Sequence, residues 1–401
     1  MKKKLGALAR VLVSVGILAY LFNSIFRDEA SRIADRIVQA PPAGVAALAQ
    51  ELGLNAEQVK LILTQCAVLP NQEPEKKADL NKLDWRERER FVWKVGPPQL
   101  WDVFCRVNLL WFALGIASMG LVCYFCIVRW QWILRVQGLD LRFWRTTSIF
   151  FIGMFFNAFM LGATGGDVIK AMYVAHETHH KKAEAVATVV VDRVIGLLVL
   201  FVIALVMMAF NYTRVFGDMR LRSFAIVTLV VVVAAAGGTA LTFWRGFADK
   251  FFGLRGWLQR VPKYETLRRM VEACRMYASH PVVLGKTTLI TVGVHVFSML
   301  SIVCVGKGLG IVTDKGMVDY FLYLPIINSV TAIPISISGF GIREGMYVKM
   351  FNEVGVASSA ALALSLLGYI ATLFWSLVGA IFYLTHHKEV VAAERDATVP
   401  E

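Results

Sequence analysis

The chain has 401 residues, 57% of them hydrophobic and only 18% charged, against roughly 45–50% apolar and about 25% charged in soluble domains. Runs such as "SFAIVTLVVVVAAAGGTALTFW" (223–244) are long enough, as helix, to cross a hydrocarbon core about 30 Å thick. A soluble fold is excluded, no soluble domain is left to bind nucleic acid, and the formal charge of +13 belongs to basic loops at a membrane surface.

In chain order, Lys2, Lys3 and Lys4 precede an apolar stretch from Leu5 to Phe26. That stretch exceeds the roughly 7–15 residues of a signal-peptide core, and no small-x-small cleavage site follows, so 1–26 is read as a retained anchor. Segment 27–99 carries 11 basic and 11 acidic residues. "PAGVAALAQELGLNAEQVKLIL" predicts two short amphipathic helices, Gly53 ending the first and Asn55 capping the second. "DWRERERFVWKV" predicts a third. The segment reads as a small extracytoplasmic helical insertion, a structural lid in preference to a partner-binding module.

Apolar segments then fall at 5–26, 106–128, 144–164, 185–210, 223–244, 281–305, 318–338 and 358–384. Net charge is +4 over 1–10 and +3 over 129–145, where Arg129, Arg135, Arg142 and Arg145 face Asp140. It is +6 over 245–286, with nine basic and three acidic residues. All three belong in the cytoplasm. If every segment crossed, the most basic loop would be exported. One segment must therefore enter and leave on one side, and 144–164, broken by "GATGG" (162–166), is the candidate. The same logic makes 318–338 re-entrant from the outside. Against this scheme, 211–222 is outside and carries Arg214, Arg220 and Arg222 against one acid.

The expected fold is all-α and polytopic, with about six full spans and two oppositely oriented re-entrant hairpins arranged like an inverted repeat. The N-terminus and the tail 385–401 are cytoplasmic, and 100–384 forms the transmembrane domain of an inner-membrane protein. The hairpins read as copies: "FFNAFMLGATGGDVIK" (155–170) and "IINSVTAIPISISGFGIREG" (326–345). Each has an apolar leg, an asparagine (Asn157, Asn328), a glycine-rich tip and a charged helix start. Opposed broken helices are typical of secondary transporters, with the site near mid-bilayer.

Charge inside a span costs about 2.5–3.5 kcal/mol per residue on insertion scales, so the few charged positions there are candidates for function. Gly165 and Gly166 allow close backbone approach. Asp167 either caps the next helix or binds, and Lys170 beside that helix start makes a phosphate site. Asp192 pairs with Lys170 or Arg343. Arg193 pairs with Asp167 or Glu344, or faces a lipid phosphate. Pro334 ends one leg, and Gly339 and Gly341 permit an irregular turn. Glu344 suits the helix start that follows, whereas Arg343 opposes its dipole and calls for an anion or acidic partner. The pairs could equally be structural. Cys123 and Cys126 read as buried apolar residues, and His176, His179 and His180 as a headgroup-level loop, so no metal or cofactor is expected. His295 reads as an interhelical hydrogen bond, and Lys286 as a lysine snorkelling to the interface.

At these residues the chain resembles the flippase-like transmembrane domain family, also called the lysylphosphatidylglycerol synthase transmembrane region. The resemblance rests on Arg129-Trp130, Asn157, Gly165-Gly166-Asp167 with Lys170, Asp192 through Gly196, and Pro334 through Gly345. It covers roughly 100–384. The chain departs from the family at Leu161, where proline is usual, at Ala163, where a basic residue is common, and at Lys170, where arginine is common. The resemblance implies movement of polar or charged lipids between leaflets, aminoacylated phosphatidylglycerol in the best-known branch, where a separate soluble domain makes the lipid. With 17 residues after the last span, any such enzyme is expected to be another protein.

The expectation is a flippase, not an enzyme. It would move an anionic or aminoacylated phospholipid or a lipid-linked sugar, and homo-oligomerisation is left open. A membrane enzyme using Asp192 or Glu344 as acid–base residue, and a scaffold acting through 27–99, are the alternatives.

Overall fold

The computed structural model describes residues 2–68, 77–159, 165–178, 181–243, 272, 276–332 and 339–398. The hairpin tip 160–164, Pro334 with the rest of 333–338, His179, His180 and most of the basic loop 245–275 lie outside the described residues. What is described is all-helical apart from a two-stranded antiparallel ribbon of Ala67–Val68 with Lys77–Ala78. Among the described residues, four helices, Leu109–Val136, Ala183–Phe210, Pro281–Gly308 and Ser358–Thr385, are long and apolar enough to cross a membrane. The protein is a polytopic membrane protein. Of the other two expected spans, 5–26 lies within helix Lys2–Gln39 and 223–244 within helix Met219–Phe243, whose described apolar stretch is Leu221–Ala234.

The first helix, α1 (Lys2–Gln39), does not stop at residue 26 but runs on into the insertion as one rod about 57 Å long. Ile25, Phe26, Ala30, Ile33, Ala34 and Ile37 are buried along one stripe of its outer half. They meet Phe91, Val92 and Val95 of α4 (Trp85–Cys105), which runs antiparallel beside it, with Arg27 paired to Glu89. Between them lie α2 (Pro42–Glu51) and α3 (Ala56–Leu61). Gly53 has φ +61°, and the Asn55 side chain accepts from the Gln58 N–H at 2.9 Å, as the sequence predicts. The insertion is not a detached lid. Leu362 and Ala363 of the last helix belong to its core. Glu29 accepts from the Ser359 N–H at 3.2 Å, and Asp28 from the Ser358 hydroxyl at 2.5 Å. Two carboxylates thus sit at the start of that helix, where free N–H groups need acceptors.

Two long helices form the bundle's tightest pair, α5 (Leu109–Val136) and α11 (Pro281–Gly308). They run antiparallel. Asn108 N–H donates to Gly308 O at 2.8 Å, Ser301 to Gly115 O at 2.7 Å, Ser118 to Phe297 O at 2.8 Å, and the Tyr277 hydroxyl to Ile133 O at 2.9 Å. Hydroxyls that donate to a neighbouring helix's carbonyls are the usual polar link between helices in lipid.

Around this pair stand α8 (Lys182–Phe210), the short α9 (Tyr212–Gly217), α10 (Met219–Phe243) and α14 (Ser358–Thr398). The remaining helices form two hairpins. In the first, α6 (Phe143–Phe159) reverses into α7 (Gly165–Glu177). Arg145 bonds Glu177 at 2.8 Å, and Asn157 accepts from the Gly166 N–H at 2.9 Å, so both outer ends lie together. In the second, α12 (Met317–Thr331) reverses into α13 (Ile342–Asn352). Tyr320 and Tyr323 of α12 pack on Phe351 of α13, with ring centroids 5.1 and 6.2 Å apart. The legs have 17, 13, 15 and 11 residues, each short of the roughly 20 needed to span.

The hairpins use the same two supports in exchanged order. The first hairpin lays α6 on α14 and α7 on α8; the second lays α12 on α8 and α13 on α14. Their outer ends also lie at opposite ends of the bundle. Those of α6 and α7 lie with the C-terminal end of α5, and those of α12 and α13 with Asp28, Asp314 and Arg214. Arg214, which conflicted with the charge-based topology, bonds Asp319 at 2.6 Å and Asp314 at 3.1 Å. Its charge is neutralised locally.

Candidate functional site

Among the described residues, the charged positions singled out in the sequence fall into three clusters within the helical bundle. The first is at the start of α7. Gly166 is pressed so closely on α6 that an added Cβ would overlap the Gly153 carbonyl, and it would lie 2.6 Å from the Asn157 side chain. Only glycine allows the two backbones this approach. Asn157 caps the Gly166 N–H across the break, and Gly165 precedes it as the first residue of α7. Asp167 then points along α8 and forms an ion pair with Arg193, whose side chain is 41% exposed. One turn on, Lys170 turns toward α5 and α6 instead of α8. Its stem packs on Gly153, and its ammonium lies 4.2 Å from the Trp130 ring centroid and 4.9 Å from that of Phe150. Cation–π contact with two rings holds a buried charge.

The second cluster is on the inner side of α8. Asp192 accepts from Arg129 Nε at 2.8 Å, and Arg129 also donates to Thr291 at 3.0 Å. The two side chains are 12% and 7% exposed. This corrects the expected pairing of Asp192 with Lys170 or Arg343. Charge counting assigned Arg129 to a cytoplasmic loop, but α5 continues to Val136 and carries Arg129 into the core. Adjacent residues on a helix diverge by about 100°, so Asp192 reaches inward to α5 while Arg193 reaches out to α7. Next to them His295 shares a hydrogen bond with Gly196 O at 3.0 Å, as expected of an interhelical link.

The third cluster opens α13. Gly339 and Gly341 have φ +78° and +85°, a region open to glycine at little cost. Glu344 is fully buried. One of its oxygens accepts from the Gly341 N–H at 2.7 Å and the other from Arg343 at 2.5 and 3.0 Å. Arg343 also donates to Ser365 of α14 at 3.2 Å and lies over Phe340 and Tyr369, 5.2 and 4.5 Å from their centroids. The arginine that opposed its helix dipole has its acidic partner in the next residue. Asn328 is half-buried on α12, its carbonyl accepting from Thr331 at 3.2 Å.

The described contacts do not bring the third cluster to the first two. An opening runs instead beside the first hairpin, a cavity of about 580 Å³ between α7 and α8. Its walls are almost wholly apolar, including Val168, Met172 and Val189. The Asp167–Arg193 pair is at one end and His176 toward the other. Val168 and Met172 are exposed on the bundle's outer surface, so the groove opens sideways. Sequence reasoning missed Thr291, Ser365 and Tyr369, because a lone hydroxyl or tyrosine in an apolar run carries no signal until a charge is placed beside it. Among the described residues no cluster of His, Cys, Asp or Glu could hold a metal ion.

Residues 90–379 match the model of the lysylphosphatidylglycerol synthase TM region. A UPF0104 membrane protein of Pyrococcus horikoshii is 23% identical over 325 residues, which cover 75% of this chain and 95% of that protein. The matched segment takes in α5 to α13, both hairpins and all three charged clusters, and the chain belongs to the lysylphosphatidylglycerol synthase TM region family.

Proposed function

We propose that the protein moves a polar-headgroup phospholipid, or a lipid-linked sugar, between leaflets, with α6–α7 and α12–α13 acting as re-entrant hairpins. The observation that carries this reading is the α7–α8 groove. It is apolar along its walls, open to the side and closed at one end by an ion pair. Acyl chains fit the walls and stay in the bilayer. The headgroup meets Asp167 and Arg193, whose opposite charges receive an amine and a phosphate. Arg193, partly exposed, exchanges Asp167 for a phosphate at low cost. Arg129–Asp192 and Arg343–Glu344 are more deeply buried and hold the helices that frame the path. Family membership supports a lipid as the substrate.

The test is a leaflet assay in proteoliposomes with a headgroup-labelled phospholipid. Asp167→Asn and Arg193→Gln are expected to abolish transfer while leaving a monodisperse protein. Transfer at the wild-type rate in both variants, or chemical conversion of the lipid, refutes the proposal; conversion would favour a membrane enzyme. Deleting 27–99 does not cleanly isolate a scaffold role, because it removes the carboxylates that hold the start of α14.

A further inference from the structure

We infer that the bundle carries a second lipid site, a pocket for the phosphate of an anionic lipid headgroup, between the end of α5 and the beginning of α11. A cavity of about 290 Å³ lies there, lined by Trp132, Arg135, Val136, His280, Val283 and Lys286. None of these residues lines the α7–α8 groove. The inference does not depend on the transport reading.

The chemistry is one-sided. An arginine, a lysine and an imidazole converge on the cavity, and its described lining contains no carboxylate. Among the described residues neither Arg135 nor Lys286 has an ion pair. Lys286 holds its ammonium 5.9 Å from the Trp132 ring centroid, near the outer limit of cation–π attraction. A lysine that only snorkelled to water would need no cavity and no second cation beside it. His280 is the residue just before α11, with Nδ1 3.0 Å from the Met276 carbonyl oxygen and 3.1 Å from the Ser279 hydroxyl. The ring is therefore anchored at the positive end of the α11 dipole.

The surroundings select a lipid over a free anion. The pocket's remaining walls are an indole and two valines. Val282 and Leu289, on the same stretch of α11, are 68% and 73% exposed, an apolar surface for acyl chains. Lys286 is the sixth residue of α11, about 8 Å from its start, a depth at which a headgroup meets the end of an apolar helix. Basic pockets between membrane helices at such a level hold phospholipid headgroups.

The experiment titrates the full-length protein in detergent with phosphatidylglycerol, phosphatidylcholine or inorganic phosphate, and reads bound lipid by native mass spectrometry. Wild type is expected to retain phosphatidylglycerol in preference to phosphatidylcholine. Arg135→Gln with Lys286→Gln should weaken that binding by roughly 30-fold, while Arg135→Lys with Lys286→Arg preserves it. Val283→Trp fills the cavity without changing its charge and should also abolish binding, which separates the pocket from general surface charge. Equal retention of the two phospholipids overturns the inference, as does undiminished phosphatidylglycerol binding in both the glutamine and tryptophan variants. Displacement of the lipid by an equal concentration of inorganic phosphate would assign the pocket to a soluble anion and overturn it as well.

Discussion

Asp192→Asn removes one charge from a deeply buried interhelical ion pair and nearly preserves its shape. The Arg129 side chain is only 7% exposed, and it donates to Asp192 at 2.8 Å and to Thr291 at 3.0 Å. The variant leaves the guanidinium in the core without a counter-ion. Removing one partner of a buried pair costs about 3–5 kcal/mol. Because Thr291 and the new amide oxygen still accept hydrogen bonds, the loss should fall at the low end, about 3 kcal/mol. A change of 1 kcal/mol moves Tm by about 2–4 °C in chains of 150–250 residues and by less in longer ones, so a drop of about 5 °C is expected. The assay is thermal unfolding in one detergent, followed by a thiol-reactive dye that reports exposure of the buried Cys66 and Cys123 above the constant signal of the exposed Cys105. Arg129→Met with Asp192→Leu removes both charges and should unfold within about 1 kcal/mol of wild type, since no charge is left stranded. An unchanged Tm in the single variant, or a double variant that loses the sum of the two singles, would refute the reasoning.

Gly166→Ala should prevent closure of the first hairpin, because its Cβ would overlap the Gly153 carbonyl. The expected result is loss of the monodisperse species on size exclusion, whereas alanine at Gly138, where φ is +64° but nothing lies within 4 Å, leaves that profile intact and lowers Tm slightly. Burial pushes the Cys66 thiol above its ordinary range. Its thiolate fraction at pH 8 is therefore reduced, and its alkylation should trail that of the exposed Cys105 and accelerate as pH rises further, read by peptide mass spectrometry.

The glycine-led breaks were legible in the sequence because apolar legs ending in glycine and charge have few structural readings. Both hairpins, the two short insertion helices and the Asn55 cap follow from local patterns. Of the charge pairings, Arg193 with Asp167 was among those expected, whereas the partner of Asp192 was not legible. Arg129 lies in a basic stretch by composition, yet helix length decides whether it reaches headgroups or core, and α5 runs past it. The Arg343–Glu344 contact joins neighbours that a regular helix would splay apart. It forms because Arg343 folds back between Phe340 and Tyr369 at the first turn of α13. The continuation of α1 beyond residue 26 was hidden because its outer half keeps the helical stripe while losing overall apolarity. The Ala67–Val68 ribbon is too short to leave a period at all.

Each hairpin rests one leg on α8 and the other on α14, in exchanged order. A tilt of α8 therefore displaces α7 and α12 together, and a tilt of α14 displaces α6 and α13. Neither glycine-led end can be loosened by moving one long helix without disturbing a leg of the other hairpin. Coupling of this kind between the two hairpins follows from packing order alone and requires no direct touch between them.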